Sequence, residues 1–163
     1  MKYKASIKSK KAFLRWCSKG DESYQRVVEY ALDAILPILD KADFEWVEKS
    51  PDGYKTPHFM IDFERKTERG IEIVGLNFEK YRRYRFKVNS VVLENVPPFK
   101  RILGGDLVRY QSELDKAKWW GTSWLSINKE KAFKKEVDKV SKMLPQILDF
   151  LSDETAGPNI WKF

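Results

Sequence analysis

Two stretches of the sequence carry apolar residues at helical spacing. The first stripe, between residues 22 and 41, consists of Val28, Ala31, Leu32, Ile35 and Leu36. The second, between residues 129 and 152, consists of Phe133, Val137, Val140, Leu144, Ile147, Leu148 and Leu151. Both predict amphipathic helices that turn one face toward a core. Residues 20 to 23 supply the N-terminal cap of the first helix, and Ser126 or Asn128 supplies that of the second.

Between these helices the apolar period changes from helical to alternating. Runs at residues 44–46, 59–64, 71–78 and 84–88 alternate apolar with polar side chains and are separated by short connections, which predicts four strands. The apolar residues Ile71 and Ile73 have odd numbers, whereas Leu76 and Phe78 have even numbers. This change in the alternation along one strand predicts a β-bulge beside Gly75. The predicted fold is α+β: an antiparallel β-meander of four or more strands with two long helices packed on one face.

Residues 95 to 125 show no clear period. The pairs Pro97-Pro98 and Gly104-Gly105 predict a loop, and residues 118–125 predict a strand or an aromatic loop. The length of 163 residues predicts one domain over residues 1–163. Within it, residues 1–20 are an N-terminal arm or short helix, and residues 153–163 are a C-terminal tail whose apolar end docks.

The sequence also limits the compartment. Its one cysteine, Cys17, has no second cysteine to pair with, and its N-terminus lacks the apolar segment of a secretory signal. The longest apolar stretch is far shorter than a bilayer requires. We therefore expect a cytoplasmic protein that does not bind a membrane.

The chain is basic, with 31 Lys and Arg against 24 Asp and Glu and a net charge of +7. Such a charge is typical of proteins that meet an anionic partner, although a basic domain need not bind one. The richest stretch is residues 80–87, where alternation turns Arg83, Arg85 and Lys87 outward. In one interpretation these cations bind nucleic acid. In the favoured one they form a ladder of ion pairs with carboxylates on neighbouring strands, drawn from Glu45, Asp62, Glu64 and Glu72.

A tryptophan cluster has two interpretations as well. Exposed, Trp119, Trp120 and Trp124 would form an aromatic hot spot for a ligand or partner. Buried, they would close the end of the core, which is the favoured interpretation. Together with Arg83, Arg85 and Lys87 they are the candidate binding residues.

One motif matches a catalytic pattern. Pro51-Asp52 and Glu64-Arg65-Lys66 fit the PD-(D/E)xK pattern of Mg²⁺-dependent nucleases. If residues 51–53 form a hairpin tip, Glu64 lies roughly 30 Å from Asp52 along the strand, whereas both ligands must lie within ~2.1 Å of one ion. His58 and Cys17 lack sequence neighbours that would complete a site. We predict no catalytic residues, no metal site and no cofactor.

The layout resembles a bacterial family of domains of unknown function, the one numbered 4304, over about residues 26–152. The similar features are Leu36-Pro37 with Leu39 and Phe44, the strands Ile73-Val74 and Tyr84–Asn89, the Trp119-Trp120 pair, and Leu144-Pro145 with Leu148. The resemblance implies a compact bacterial α+β domain and carries no established activity.

These observations favour a non-catalytic protein-interaction module of the immunity or defence type, with an acidic protein as its partner. One alternative is a nucleic-acid-binding module that uses the basic strand. The other is a PD-(D/E)xK-like nuclease.

Overall fold

The computed structural model describes residues 13–47, 59–96, 99–110, 117–122 and 125–163. Within these ranges lie two long helices, α1 (Glu22–Lys41) and α2 (Lys129–Asp153). The same ranges contain seven strands: β1 (Glu45–Val47), β2 (Met60–Lys66), β3 (Gly70–Phe78), β4 (Arg85–Val96), β5 (Phe99–Leu107), β6 (Trp120–Gly121) and β7 (Ile160–Lys162).

The strands form one antiparallel sheet in the order β1-β2-β3-β4-β5-β7. Strand β4 is the longest, and two strands share its outer edge. Residues Asn89 to Val96 pair with β5, while Arg85 and Phe86 pair with β6. Because each strand from β1 to β5 pairs with the next one along the chain, the sheet is a meander, as predicted.

Both helices pack on the same face of the sheet and share one core with it. They run side by side in the same direction, since Ser23 contacts Glu130 and the Tyr30 hydroxyl donates to Asp138 at 2.7 Å. Asp21 caps α1 and Asn128 caps α2, each accepting a backbone N–H of the first turn. Leu144 is fully buried, which confirms the predicted phase of the second helix.

Buried charged residues lie at the edge of the apolar core, next to the C-terminal ends of the two helices. Glu72 and Glu94 are buried on the helix-facing side of the sheet, where Arg65 pairs with Glu72 and Arg69 with Glu94. Each arginine also donates to a carbonyl at a helix C-terminus, Arg65 to Ala42 and Arg69 to Leu151. The β2–β3 hairpin thereby ties both helix ends to the sheet.

Two sequence-based expectations are wrong. Strand β3 has no bulge: its pairing with β4 runs without interruption from Gly70↔Glu94 to Phe78↔Phe86. The segment predicted as a loop around Gly104-Gly105 is instead strand β5, and Ile160 at the chain's end belongs to strand β7. In the described part of the chain, no helix is long and apolar enough to cross a membrane.

Candidate binding surface on the outward face of the sheet

The face of the sheet opposite the helices, here called the outward face, is built of rows that run across the strands. Strand pairing places Ile71, Leu93 and Ile102 in one row. The next row contains Ile73, Val91 and Gly104. Residues directly opposite one another on paired strands turn their side chains to the same face, so the outward face can be derived from the register alone.

The first two rows form an apolar patch consisting of Ile71, Ile73, Val91, Leu93, Ile102 and Phe163. Phe163 belongs to it because its ring lies on Gly104: a Cβ added there would come within 2.1 Å of the ring. Gly104 is therefore the residue that makes room for Phe163. Ile102 is 66% exposed and Phe163 is 64% exposed, so the patch offers large apolar side chains to solvent.

The next row along the strands, beside the apolar patch, is polar and is formed by Asp62, Gly75, Asn89 and Asp106. The missing side chain of Gly75 leaves room for its neighbours, since a Cβ there would lie 2.5 Å from Asn89 Oδ1 and 3.1 Å from Asp62 Oδ1. Asn77 Nδ2 donates to Asn89 Oδ1 at 2.6 Å. At the far end of the row, Lys118 pairs with Asp106 at 2.7 Å.

The β1–β2 edge of the outward face is acidic. Glu45 lies directly opposite Glu64 in the strand register, and Asp62 is two residues away on β2. Burial raises the pKa of Glu64, Asp62 raises it further, and Lys66 partly offsets both effects. Within the described residues, Glu64 Oε1 is buried without a hydrogen-bond donor.

The N-terminal end of β4 carries basic side chains that contact an aromatic ring. The Arg85 guanidinium lies 4.7 Å and the Lys87 ammonium 4.4 Å from the centre of the Trp119 ring. Arg85 also pairs with Glu79 at 3.6 Å, and Arg83 is exposed. The structure thus brings three of the candidate binding residues, Arg85, Lys87 and Trp119, into one cluster.

The predicted ion-pair ladder needs a correction. Glu72 was expected among the outward carboxylates, but β3 runs without a bulge and therefore turns Glu72 toward the helices, where it binds Arg65. The ion pair of Arg85 is with Glu79, at the end of the strand, and not with one of the four carboxylates considered. A ladder that includes Glu72 is therefore excluded.

Trp119 and Trp120, two of the three predicted cluster residues, lie on opposite faces of the sheet. Trp120 is buried, and its indole N–H donates to the Leu107 carbonyl at 3.1 Å. Trp119, one residue earlier, turns to the opposite face, where it meets the cations of β4. Trp124 lies outside the described residues. Strand β6 thus places Trp120 on the core side, and the residue just before it, Trp119, lies on the outward side.

The candidate catalytic residues do not assemble a site in the part of the chain that the structure describes. Cys17 is buried, and burial, reinforced by Glu29, raises the pKa of its thiol to about 11 although Arg82 lowers it. The thiol is therefore almost entirely protonated at neutral pH, whereas a nucleophilic cysteine requires the thiolate. Asp52 and His58 lie outside the described residues. Within the described residues, no three or more His, Cys, Asp or Glu side chains lie close enough together to hold a metal ion.

Comparison with known proteins adds no relative. No family model matches the chain, and neither a curated protein nor a solved structure matches it. The resemblance to the domain family numbered 4304 therefore stays a prediction.

The apolar patch was not predicted from the sequence, although the sequence contains a signal for it. Ile71 and Ile73 have the parity opposite to that of Leu76 and Phe78, and this slip was interpreted as a bulge that returns all four side chains to one core. The structure keeps the register, so the two isoleucines lie on the other face. Apolar residues on both parities of one strand indicate that both faces of that strand carry apolar surface.

Proposed function

We propose that this protein is a non-catalytic protein-binding module whose partner lies across the outward face of the sheet. The observation that carries the proposal is the apolar patch, in which Ile102 and Phe163 are each about two-thirds exposed. Contiguous apolar residues on a surface, rimmed by polar groups, are typical of protein interaction sites.

The surroundings of the apolar patch favour a protein over a nucleic acid on this face. A strand of nucleic acid lying along the outward face would bring phosphates close to Asp62 and Glu64. Those carboxylates repel phosphate, whereas a protein surface can present donors to them and acidic groups to Arg85. Mixed charges around an apolar centre fix the orientation of a protein partner and reject surfaces with the wrong pattern.

The net charge of +7 favours an acidic partner, because complementary potentials accelerate association. The cluster of Arg85, Lys87 and Trp119 lies at one end of the outward face, and its arginine and tryptophan are residue types enriched in interface hot spots. We expect the partner to place an apolar segment on the apolar patch and acidic side chains toward this cluster.

The experiment is a comparison of partner capture by three forms of the protein. The wild type, Ile102→Asp and Ile127→Asp are immobilised and exposed to extract from the native host, and proteins retained by the wild type are identified and purified. Ile127 is fully exposed and does not belong to the outward face, so its variant controls for the added charge. We expect the purified partner to bind the wild type and Ile127→Asp alike and to bind Ile102→Asp at least about tenfold more weakly, a loss of about 1.4 kcal/mol.

A partner that binds Ile102→Asp as tightly as the wild type would refute this assignment of the surface. Enzymatic turnover by the wild type would refute the non-catalytic part of the proposal. Cleavage of plasmid or RNA with Mg²⁺ or Mn²⁺, lost in both Glu64→Ala and Lys66→Ala, would establish the nuclease alternative. The narrower assignment to immunity or defence stays a prediction.

A further inference from the structure

The loop between β3 and β4, residues 79–84, displays an aromatic ring and two cations on a fixed backbone. Tyr81 is 67% exposed, and Lys80 and Arg83 on either side of it are exposed as well. Lys80 Nζ lies 4.8 Å from the centre of the Tyr81 ring. Within the described residues, no side chain pairs with the Arg83 guanidinium.

The loop is held by a buried carboxylate beneath it. Glu79 is 8% exposed, and its Oε2 accepts the backbone N–H groups of Tyr81 at 2.8 Å and Arg83 at 3.5 Å. Its other oxygen faces Arg85 at 3.6 Å. The one acidic residue of the loop is therefore buried and already bound, so it contributes little negative charge to the surface.

Arg82 fixes the loop from the other side. Its backbone adopts the left-handed conformation, with φ at 57°, which an L-residue adopts only where its surroundings stabilise it. The guanidinium donates to the Trp16 carbonyl at 3.1 Å and lies 5.4 Å from the Trp16 ring centre. With Arg82 turned inward, its neighbours Tyr81 and Arg83 remain available to a ligand.

The segment that Arg82 contacts extends the positive charge. Arg15 and Lys19 are exposed on the turns around Trp16. With Lys80 and Arg83 they give four cations on two adjoining segments that Arg82 joins. An exposed aromatic ring between cations matches the chemistry of single-stranded nucleic acids, in which a base stacks on the ring and phosphates meet the cations.

We infer that the β3–β4 loop is a binding site for single-stranded nucleic acid, in which Tyr81 stacks on a base and Lys80 and Arg83 bind the flanking phosphates. A single strand fits better than a duplex because its bases are free to leave their neighbours and stack on protein. This inference moves the predicted nucleic-acid site from the outward face of β4 to the loop, away from Asp62 and Glu64. It does not depend on the protein partner proposed above.

The test is fluorescence anisotropy with labelled mixed-sequence 12-nucleotide DNA and RNA, single-stranded and duplex, at several salt concentrations. We expect micromolar binding of the single strands at about 50 mM salt and weaker binding of the duplexes. Tyr81→Ala should weaken binding about 5- to 150-fold through lost stacking, while Tyr81→Phe, which keeps the ring, should stay within about twofold. Lys80→Ala/Arg83→Ala should reduce the salt slope by about 1.4, at about 0.7 per phosphate contact.

Two controls separate the site from general charge effects. Lys131→Ala/Lys135→Ala removes two exposed lysines of α2 and should leave the salt slope unchanged, and Ile102→Asp should leave oligonucleotide affinity nearly unchanged. The inference is overturned if the wild type binds no single strand, if Tyr81→Ala binds as well as the wild type, or if the α2 variant loses as much slope as the loop variant. A further outcome would also overturn the inference: the wild type binds no oligonucleotide, and Tyr81→Ala no longer binds the protein partner. That result would assign the loop to the protein interface.

Discussion

The Arg65 guanidinium holds the buried carboxylate of Glu72 on the neighbouring strand, with Nε 2.9 Å and Nη2 2.5 Å from Oε2. The Glu72 side chain is only 3% exposed, so Arg65 supplies the paired opposite charge that a buried carboxylate requires. Nη1 of the same arginine donates to the Ala42 carbonyl at the end of α1 at 3.0 Å. One side chain therefore neutralises a buried charge and fastens a helix terminus to the sheet.

Removing the arginine should be costly because the carboxylate would remain buried without its partner. We expect Arg65→Met to lower the free energy of unfolding by about 3 kcal/mol, and Arg65→Met/Glu72→Leu to return within about 1 kcal/mol of the wild type. Urea denaturation followed by circular dichroism measures both. A double variant as unstable as Arg65→Met would show that the link to Ala42, and not the buried carboxylate, dominates.

Acid should weaken the contact between the two helices through Glu130. The hydrogen bonds from Lys134, Arg26 and Ser23 lower the pKa of Glu130 from 4.5 to about 2. A carboxyl whose pKa is lower in the folded state contributes stability above pH 4.5, and that stability is lost as the pH falls toward 2. In a pH series of urea denaturation, Glu130→Gln should be less stable than the wild type at pH 7, and the two should converge near pH 2. A constant difference over that range would contradict the assignment.

Glu64 should have the opposite effect, because burial and Asp62 raise its pKa in the folded protein. The folded state then binds the proton more tightly than the unfolded chain, so stability falls as the pH rises through the titration of Glu64. Replacing Glu64 with Gln removes a charge that burial and the neighbouring Asp62 disfavour. We expect Glu64→Gln to be more stable than the wild type by about 0.2–1 kcal/mol at pH 7, with no gain at a pH where Glu64 is protonated in the wild type. A variant less stable than the wild type at pH 7 would refute the reasoning.

The parts of the fold that local pattern determines were predictable. Both helices follow from apolar stripes at helical spacing, and β1 to β4 follow from alternation. The mistaken loop at residues 99–107 shows where local pattern fails. Gly104 and Gly105 are normally strand breakers, but here they make room for rings from distant parts of the chain: Phe163 lies on Gly104, and Phe150 lies within 3.0 Å of the Cβ position of Gly105.

The candidate surface was predictable only in part, for a related reason. Alternation placed Arg85 and Lys87 outward, but their neighbour Trp119 is more than thirty residues away in the sequence and reaches them only through β6. The apolar patch was missed because its rows cross three strands, so its existence depends on register. A rule based on one strand at a time assigns the isoleucines of β3 to the core.

The central claim, that a protein partner contacts the outward face through the apolar patch, is tested most directly by methyl NMR. Unlabelled purified partner is added to protein labelled at Ile and Leu methyl groups, and the chemical shifts are followed. We predict that the methyl signals of Ile71, Leu93 and Ile102 shift or broaden on binding, while those of Ile127 do not change. Shifts at Ile127, with the three outward-face residues unchanged, would contradict the claim.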